Sequence, residues 1–210
     1  METYQKIRTL FERNPNNLKE VIEGKFALPE FEYLQNNKWV GTEKIDGTNI
    51  RIILDGNIQF RGKTDKADIP PFLLEYLQNK FTLEKTSSIF FNESVCIYGE
   101  GYGVKIQKGG NYLADSNGFI LFDIKIGEIF LQRDSLEIIA DDIGVPIVPI
   151  VHTGTLSEMV EIVKNGFKSV IAEDKNYLAE GLVLKPAVVM LNREGERIIS
   201  KLKSKDFFKK

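Results

Sequence analysis

The chain of 210 residues has one cysteine, Cys96, and one histidine, His152. A lone cysteine excludes an internal disulfide and fits a reducing compartment. One cysteine and one histidine together exclude a cysteine–histidine zinc site. A Ser-His-Asp arrangement would have to use His152, which follows the apolar run Val148-Pro149-Ile150-Val151; a packed or surface histidine is the simpler reading. No apolar run approaches the roughly 20 residues that a membrane-crossing helix needs. Met1-Glu2-Thr3-Tyr4 has no apolar signal core. These absences lead to the expectation of a cytoplasmic chain without a membrane contact. No internal repeat or low-complexity linker is visible.

Hydrophobic residues make up 42% and the net charge is −2. A chain of this size can bury its own core, as one domain or two closely joined lobes. The charge is unevenly spread. Arg193–Lys210 holds seven basic and three acidic residues, a net +4, which leaves −6 for the rest. A basic tail can hold phosphates; a solvated terminal tail is the alternative.

Apolar positions at 4, 7, 10 and 11 predict a short helix over 3–13, and Leu18–Gly24 reads as a further helical turn or two after the Asn14-Pro15-Asn16-Asn17 turn. Pro29–Leu34 reads as a link to a strand beginning at Trp39. Asn49–Leu54, Asp55-Gly56 and Asn57–Arg61 predict a hairpin, and Pro71–Asn79 a helix with proline at its start. Further strands are expected over 89–98, 118–126, 145–151, 180–186 and 197–203, and helices over 133–143 and 157–165. Gly99-Glu100-Gly101 reads as a turn where backbone could approach a ligand. It is not G-x-G-x-x-G and no helix follows, which rules out a dinucleotide fold. Hairpins outnumber crossover helices, so the expected class is α+β, with antiparallel sheets and a few flanking helices.

The chemistry-bearing residues stand at strand ends and beside glycines. Lys44 opens Lys44-Ile45-Asp46-Gly47. Glu100 lies between Gly99 and Gly101, and Glu180 precedes Gly181 with Lys185 five residues on. Lys201 and Lys203 share one face of any strand that holds both. Charges on one inward face are costly without a partner. A nucleoside triphosphate with its metal would be such a partner, lysines meeting phosphates and carboxylates meeting ribose and magnesium.

Five ordered motifs resemble those of the covalent nucleotidyltransferase superfamily, which includes ATP-dependent DNA and RNA ligases and mRNA capping enzymes. They are Lys44-Ile45-Asp46-Gly47, Tyr98-Gly99-Glu100-Gly101, Phe122-Asp123-Ile124, Glu180–Pro186 and Lys201-Leu202-Lys203. The longer strings, Glu43–Asn49 and Tyr98–Lys108, are most similar to the nick-sealing phage-type RNA ligases. The resemblance covers roughly residues 38–208.

The resemblance implies an antiparallel-sheet adenylation domain, with 1–210 expected as one such domain. Most members of the family carry a further C-terminal domain, an OB-fold or a helical one; the expectation here is none, as in a naturally minimal ligase or an isolated catalytic domain. It implies ATP and magnesium or manganese as cofactors. Lys44 would be the nucleophile that takes AMP, with Lys201 and Lys203 as catalytic phosphate-binding lysines. Glu43, Arg61, Lys63, Glu100, Phe122, Glu180 and Lys185 would bind the nucleotide. Glu100 would hold the ribose, Phe122 would stack on adenine, and Glu180 would help hold the metal. Asn49 would act on the nucleic acid end in later steps. For Phe122 the alternative is an ordinary core phenylalanine, and for Asn49 a turn-capping asparagine.

The sequence departs from the family pattern in one contact: Lys63, not arginine, precedes Thr64, with Arg61 two residues earlier. Arginine grips phosphate by a planar fork and lysine does not.

The implied function is an ATP-dependent polynucleotide ligase, an RNA ligase first, joining a 5′-phosphate to a 3′-hydroxyl. A DNA nick-joining relative and a non-catalytic nucleotide- or RNA-binding module are the alternatives. Nucleic acid is the implied partner, gripped by a basic surface that includes Lys105, Lys108, Lys205, Lys209 and Lys210. The compact chain also suggests a phage or viral source.

Overall fold

A computed structural model describes residues 3–91, 93–107 and 112–207. Of the basic residues expected on a nucleic-acid surface, Lys108, Lys209 and Lys210 lie outside the described residues. The chain folds as two compact units. One comprises Gln5–Ile45, Pro149–Ile171 and Lys175–Lys210; the other comprises Asp46–Val148 together with Met1–Tyr4 and Ala172–Asp174. Among the described residues no helix is long and apolar enough to cross a membrane.

The first unit opens with β1 (Arg8–Thr9), β2 (Phe11–Asn14), β3 (Asn17–Phe26), α1 (Pro29–Tyr33) and β4 (Trp39–Glu43). The helix expected over 3–13 is corrected to two strands. Its apolar residues do not share one helical face: Leu10 and Phe11 enter this unit's core, while Tyr4 packs in the other unit. The helical turns expected over Leu18–Gly24 are corrected to part of β3, because the Asn14–Asn17 turn closes a β2–β3 hairpin. Pro29–Tyr33, read as a link, is a helix with proline in its first turn.

The second unit contains β5 (Thr48–Leu54), β6 (Ile58–Arg61), α2 (Pro71–Lys80), α3 (Leu83–Phe90), β7 (Val95–Gly103), β8 (Asn117–Ile126), β9 (Ile129–Phe130) and α4 (Arg133–Ile143). Its sheet has the order β6-β5-β7-β8-β9 and is antiparallel throughout. Ile50, Ile52, Ile97, Phe119, Leu121 and Ile124 project from one face into a core shared with Leu73 and Leu77 of α2, Phe90 of α3 and Leu136 of α4.

Two expectations are corrected here. Ile89 and Phe90 belong to α3, not to a strand, because the Thr82 hydroxyl caps that helix by accepting from the Lys85 amide. Gly99-Glu100-Gly101 is not a turn but the middle of β7. The glycines serve close packing: a Cβ on Gly99 would stand 2.1 Å from the Phe119 ring, and one on Gly101 2.5 Å from Leu73.

The chain returns to the first unit with β10 (Ile150–Gly154), α5 (Leu156–Asn165), β11 (Gly181–Pro186) and β12 (Ser200–Lys203). The strand expected over 145–151 is reduced to a single parallel bridge, Leu121 to Ile147, before β10 starts. The five-stranded sheet of this unit has the order β1-β12-β11-β4-β10. Only the edge pair β1–β12 is parallel. Trp39, Leu182, Leu184 and Leu202 enter a core with Phe31 of α1 and with Leu156, Met159 and Val163 of α5. Thr155 and Glu158 form a reciprocal capping box at the start of α5.

Candidate active site

Alternation decides which side chains of the first unit's sheet meet. In β12, Ser200 and Leu202 are buried while Lys201 and Lys203 are half-buried. The register pairs Val183 with Lys201, Thr42 with Val183, Gly181 with Lys203 and Val40 with Lys185. Directly paired residues point to the same side. Lys201, Lys203, Lys185, Val183 and Thr42 therefore share the face opposite the core. Lys44 follows β4 in the same alternation, and its amide donates to the Gly181 carbonyl at 2.9 Å.

On that side one carboxylate joins two of the lysines. Lys44 Nζ donates to Glu180 Oε2 at 2.5 Å and Lys203 Nζ donates to Glu180 Oε1 at 2.6 Å. The three side chains are 13–21% exposed. Burial pushes the Glu180 carboxyl up, but the two lysines outweigh it and hold the carboxyl below its ordinary range.

Glu43 faces the other way. It pairs in register with buried Leu182 and is itself 1% exposed. Ser169 Oγ donates to its Oε1 and the Val170 amide donates to its Oε2 at 2.8 Å. Burial raises the Glu43 carboxyl above its ordinary range, and these two hydrogen bonds offset only part of that. The structure thus gathers Lys44, Glu180 and Lys203 with Lys185 and Lys201 on one face, and leaves Glu43 outside that group. Ser169 was not singled out from the sequence; nothing in its local pattern marks it as the partner of a residue 126 positions away.

The second unit has its own polar face. Asn49 pairs with Glu100, Arg51 with Tyr98, and Arg61 with Arg51. Their neighbours Ile50 and Ile52 enter the core, so Asn49, Glu100, Arg51 and Arg61 lie on the opposite face. Phe122 joins them through a β-bulge. Tyr98 pairs with Asp123 and Gly99 with Leu121, so Phe122 is the extra residue. Leu121 and Ile124 both enter the helix-covered core, while Phe122 groups with Ile53, Cys96 and Tyr98 on the other side. Bulges re-aim side chains in this way beside functional sites. An ordinary core phenylalanine would have followed Phe119 and Leu121.

Two buried polar atoms on this face have no hydrogen-bond partner among the described residues: Asn49 Oδ1 and Arg51 Nη1. Such groups carry a desolvation cost that a ligand or water can relieve. Arg51 is fully buried. Its Nε donates to the Gly62 carbonyl at 2.9 Å and its Nη2 donates to Asp65 at 2.6 Å, so it holds both ends of the segment that carries Lys63. Arg61 and Lys63 are exposed. Tyr4 donates to buried Asp123 and meets the Phe122 ring edge-on at 5.1 Å between centroids. Arg51 and Tyr4 were missed from the sequence. An arginine inside the apolar run Ile50–Leu54 was the available signal.

Among the described residues no three histidine, cysteine, aspartate or glutamate side chains gather as a metal cluster. A magnesium-type ion commonly takes one or two protein carboxylates and the phosphates of its substrate. Glu180, the carboxylate at Lys44, fits that donor set. His152 lies on β10 with Glu158 3.7 Å away and joins none of these groups.

A family model described as RNA ligase matches residues 37–203. No curated protein matches. Among solved structures, a variant of Naegleria gruberi RNA ligase in the apo form is similar with a TM-score of 0.67 and 18% identity, over 98% of this chain and 59% of that one. A variant of the same protein with ATP and Mn gives 0.65 and 22%, over 85% and 54%. The form with PPi gives 0.63 and 23%, over 83% and 52%. At these identities the likeness is one of fold, and the chain spans a little over half the length of the solved chains it matches.

Proposed function

The chain belongs to the RNA ligase family, and from that premise we propose that it is an ATP-dependent RNA ligase that seals 5′-phosphate to 3′-hydroxyl ends through a lysyl-AMP intermediate on Lys44. The observation that carries this reading is the position of Lys44 at the end of β4, sharing the Glu180 carboxylate with Lys203 and facing the same side as Lys201 and Lys185. A nucleophilic lysine needs its lone pair free, while cations beside it are needed where phosphate charge develops. The ion pair keeps the Lys44 amine in place. Attack requires that Glu180 release it.

In the first step Lys44 Nζ bonds to the α-phosphorus of ATP and pyrophosphate leaves, with Lys201 and Lys203 balancing the phosphate charge. The 5′-phosphate of a polynucleotide then takes AMP from Lys44. In the last step the 3′-hydroxyl attacks that 5′-phosphorus and AMP departs. A divalent magnesium or manganese ion, held by Glu180 and the substrate phosphates, would supply charge neutralisation. Glu100 would hold the ribose and Phe122 the adenine; Asn49 would serve the nucleic acid end. Arg61 or Lys63 would meet a phosphate, and Glu43 would act by fixing the Lys44 backbone to Ser169 and Val170. The two units together form one adenylation domain. A reducing, cytoplasmic setting suits the buried free Cys96.

Denaturing mass spectrometry after incubation with ATP and magnesium tests the reading. The native chain should gain the mass of one AMP and Lys44→Ala should gain nothing. No gain on the native chain with ATP or GTP, across several divalent metals, overturns it.

A further inference from the structure

The site residues account for one face of the first unit's sheet. Beside its β1 edge lies a groove of about 1570 Å³, lined by β1, the β2–β3 hairpin, the end of β12 and the 3-10 turn Ser204–Asp206. Small-molecule pockets span roughly 300–1,000 Å³, so this groove exceeds what a single nucleotide would fill. Its lining carries eight cationic and four anionic side chains, a net +4 on a chain of net −2.

The four acids do not cancel the cations evenly. Asp206 is taken by Arg13, Glu23 by Lys164 and Glu12 by Lys25, while exposed Glu20 accepts from the Asn14 side-chain amide at 3.4 Å. Lys6, Arg8, Lys19 and Lys205 have no ion-pair partner among the described residues, and all four are exposed. Lys201 and Lys203 also line the groove, so it is continuous with the proposed catalytic face. The lining is not only charged. Leu18 and Leu178, 72% and 55% exposed, line it together with half-buried Phe207. Cations in one groove with exposed apolar side chains and one half-buried aromatic suit a chain of phosphates whose bases are free to stack. A triphosphate tail would use the cations and leave the apolar lining without a role.

We propose that this groove binds the phosphodiester backbone of a single-stranded polynucleotide segment and leads it to Lys201 and Lys203. The inference rests on the ligase reading for its substrate, and it places the grip on the N-terminal hairpin and β1 as well as on the basic C-terminal tail. Lys6 and Arg8 flank the strand on the β1 side, Lys19 on the hairpin side and Lys205 at the turn.

The test is fluorescence anisotropy with a 5′-phosphorylated oligoribonucleotide across 50–200 mM salt, alongside ATP labelling of the protein. The variants are Arg8→Gln with Lys19→Gln, and, as a charge-matched control outside the groove, Lys38→Gln with Lys80→Gln. Each phosphate contact on a single strand contributes about 0.7 to the slope of log affinity against log salt. The groove variant should lower that slope by about 1.4 and keep native ATP labelling, while the control keeps the native slope. An unchanged slope in the groove variant, or an equal fall in the control, overturns the proposal. So does a variant that loses ATP labelling while strand binding stays native, since the groove would then serve the triphosphate. A native chain that takes no AMP, with the slope still falling in the groove variant alone, sinks the ligase reading and leaves the groove standing.

Discussion

The two units use the same plan and reach opposite electrostatic states. Each has a five-stranded sheet with one face packed by helices and the other carrying polar residues. In the unit of Lys44 the central charges are closed on themselves: one carboxylate serves two lysines, one oxygen each. In the unit of Asn49 the polar face holds two buried atoms without a hydrogen-bond partner among the described residues, Asn49 Oδ1 and Arg51 Nη1. The first arrangement pairs its charges within the fold, and on the proposed reading Glu180 releases Lys44 for attack. The second carries a desolvation cost that a ligand or water can relieve. Opposite consequences for mutation follow from that difference.

Removing the shared carboxylate should have the largest effect. Glu180→Ala leaves Lys44 and Lys203 side by side without their anion. Breaking a largely buried pair from one side costs about 3–5 kcal/mol; the residual exposure here puts the expected loss near the lower end. Thermal or urea unfolding reads this. ATP labelling should fall by about 10²–10³-fold, the range seen when one group supporting the transition state is lost. A variant as stable as the native chain would show that the two lysines have another anion, and the contrast between the units would fail.

Asn49→Ala is the converse. It removes a buried oxygen that has no partner among the described residues, so unfolding free energy should change by no more than about 0.5 kcal/mol in either direction. If Asn49 serves the nucleic acid end, AMP transfer to Lys44 should persist while joining of ends drops. Stepwise assays with ATP alone and then with a pre-adenylylated 5′-end separate the two. A stability loss as large as that of Glu180→Ala would place Asn49 in the scaffold instead.

The same contrast explains what the sequence could tell. That Lys201 and Lys203 share one face was legible, because strand alternation sets it locally; that Lys44 and Lys203 meet at Glu180 was not, because Lys44 lies 136 residues from that carboxylate in the chain. The helix Arg133–Ile143 was legible to the residue, ending at Gly144 in the left-handed region with φ of 73°. The first 26 residues were misread because their apolar positions serve two cores, Tyr4 one and Leu10 the other, which imitates helical spacing. The role of the glycines in β7 was hidden for a related reason. A turn and a close approach both call for glycine, and only the cross-strand contact of Gly99 with Phe119 distinguishes them. Phe122 could be suspected by motif, but its exit from the core depends on a bulge that no periodicity announces. Arg51 was the one audible signal left unused: a charge in the middle of an apolar strand must find its partners inside the fold.

Within the first unit the comparison narrows to two carboxylates on opposite sides of one sheet, and here the expected effect is smallest. Glu180 has a folded pKa below its ordinary value of 4.5, so its contribution is complete above that value and is lost as pH falls through the lowered one. Glu43 has a folded pKa above 4.5, so the folded state binds more protons than the unfolded chain just above that pH. Its contribution therefore declines as pH rises from 4.5 through the raised value. Glu43→Gln keeps an acceptor for Ser169 or Val170 and removes the titration. Its melting temperature should fall less than that of the native chain as pH rises above 4.5, with the acid limb unchanged. Glu180→Gln should lower stability across the range above pH 4.5 and flatten the acid limb, since the contribution that would be lost on acidification is already missing. If Glu43→Gln steepened the decline above pH 4.5, the Ser169 and Val170 hydrogen bonds would outweigh the burial of the charge, and both carboxylates of this sheet would be stabilised as anions.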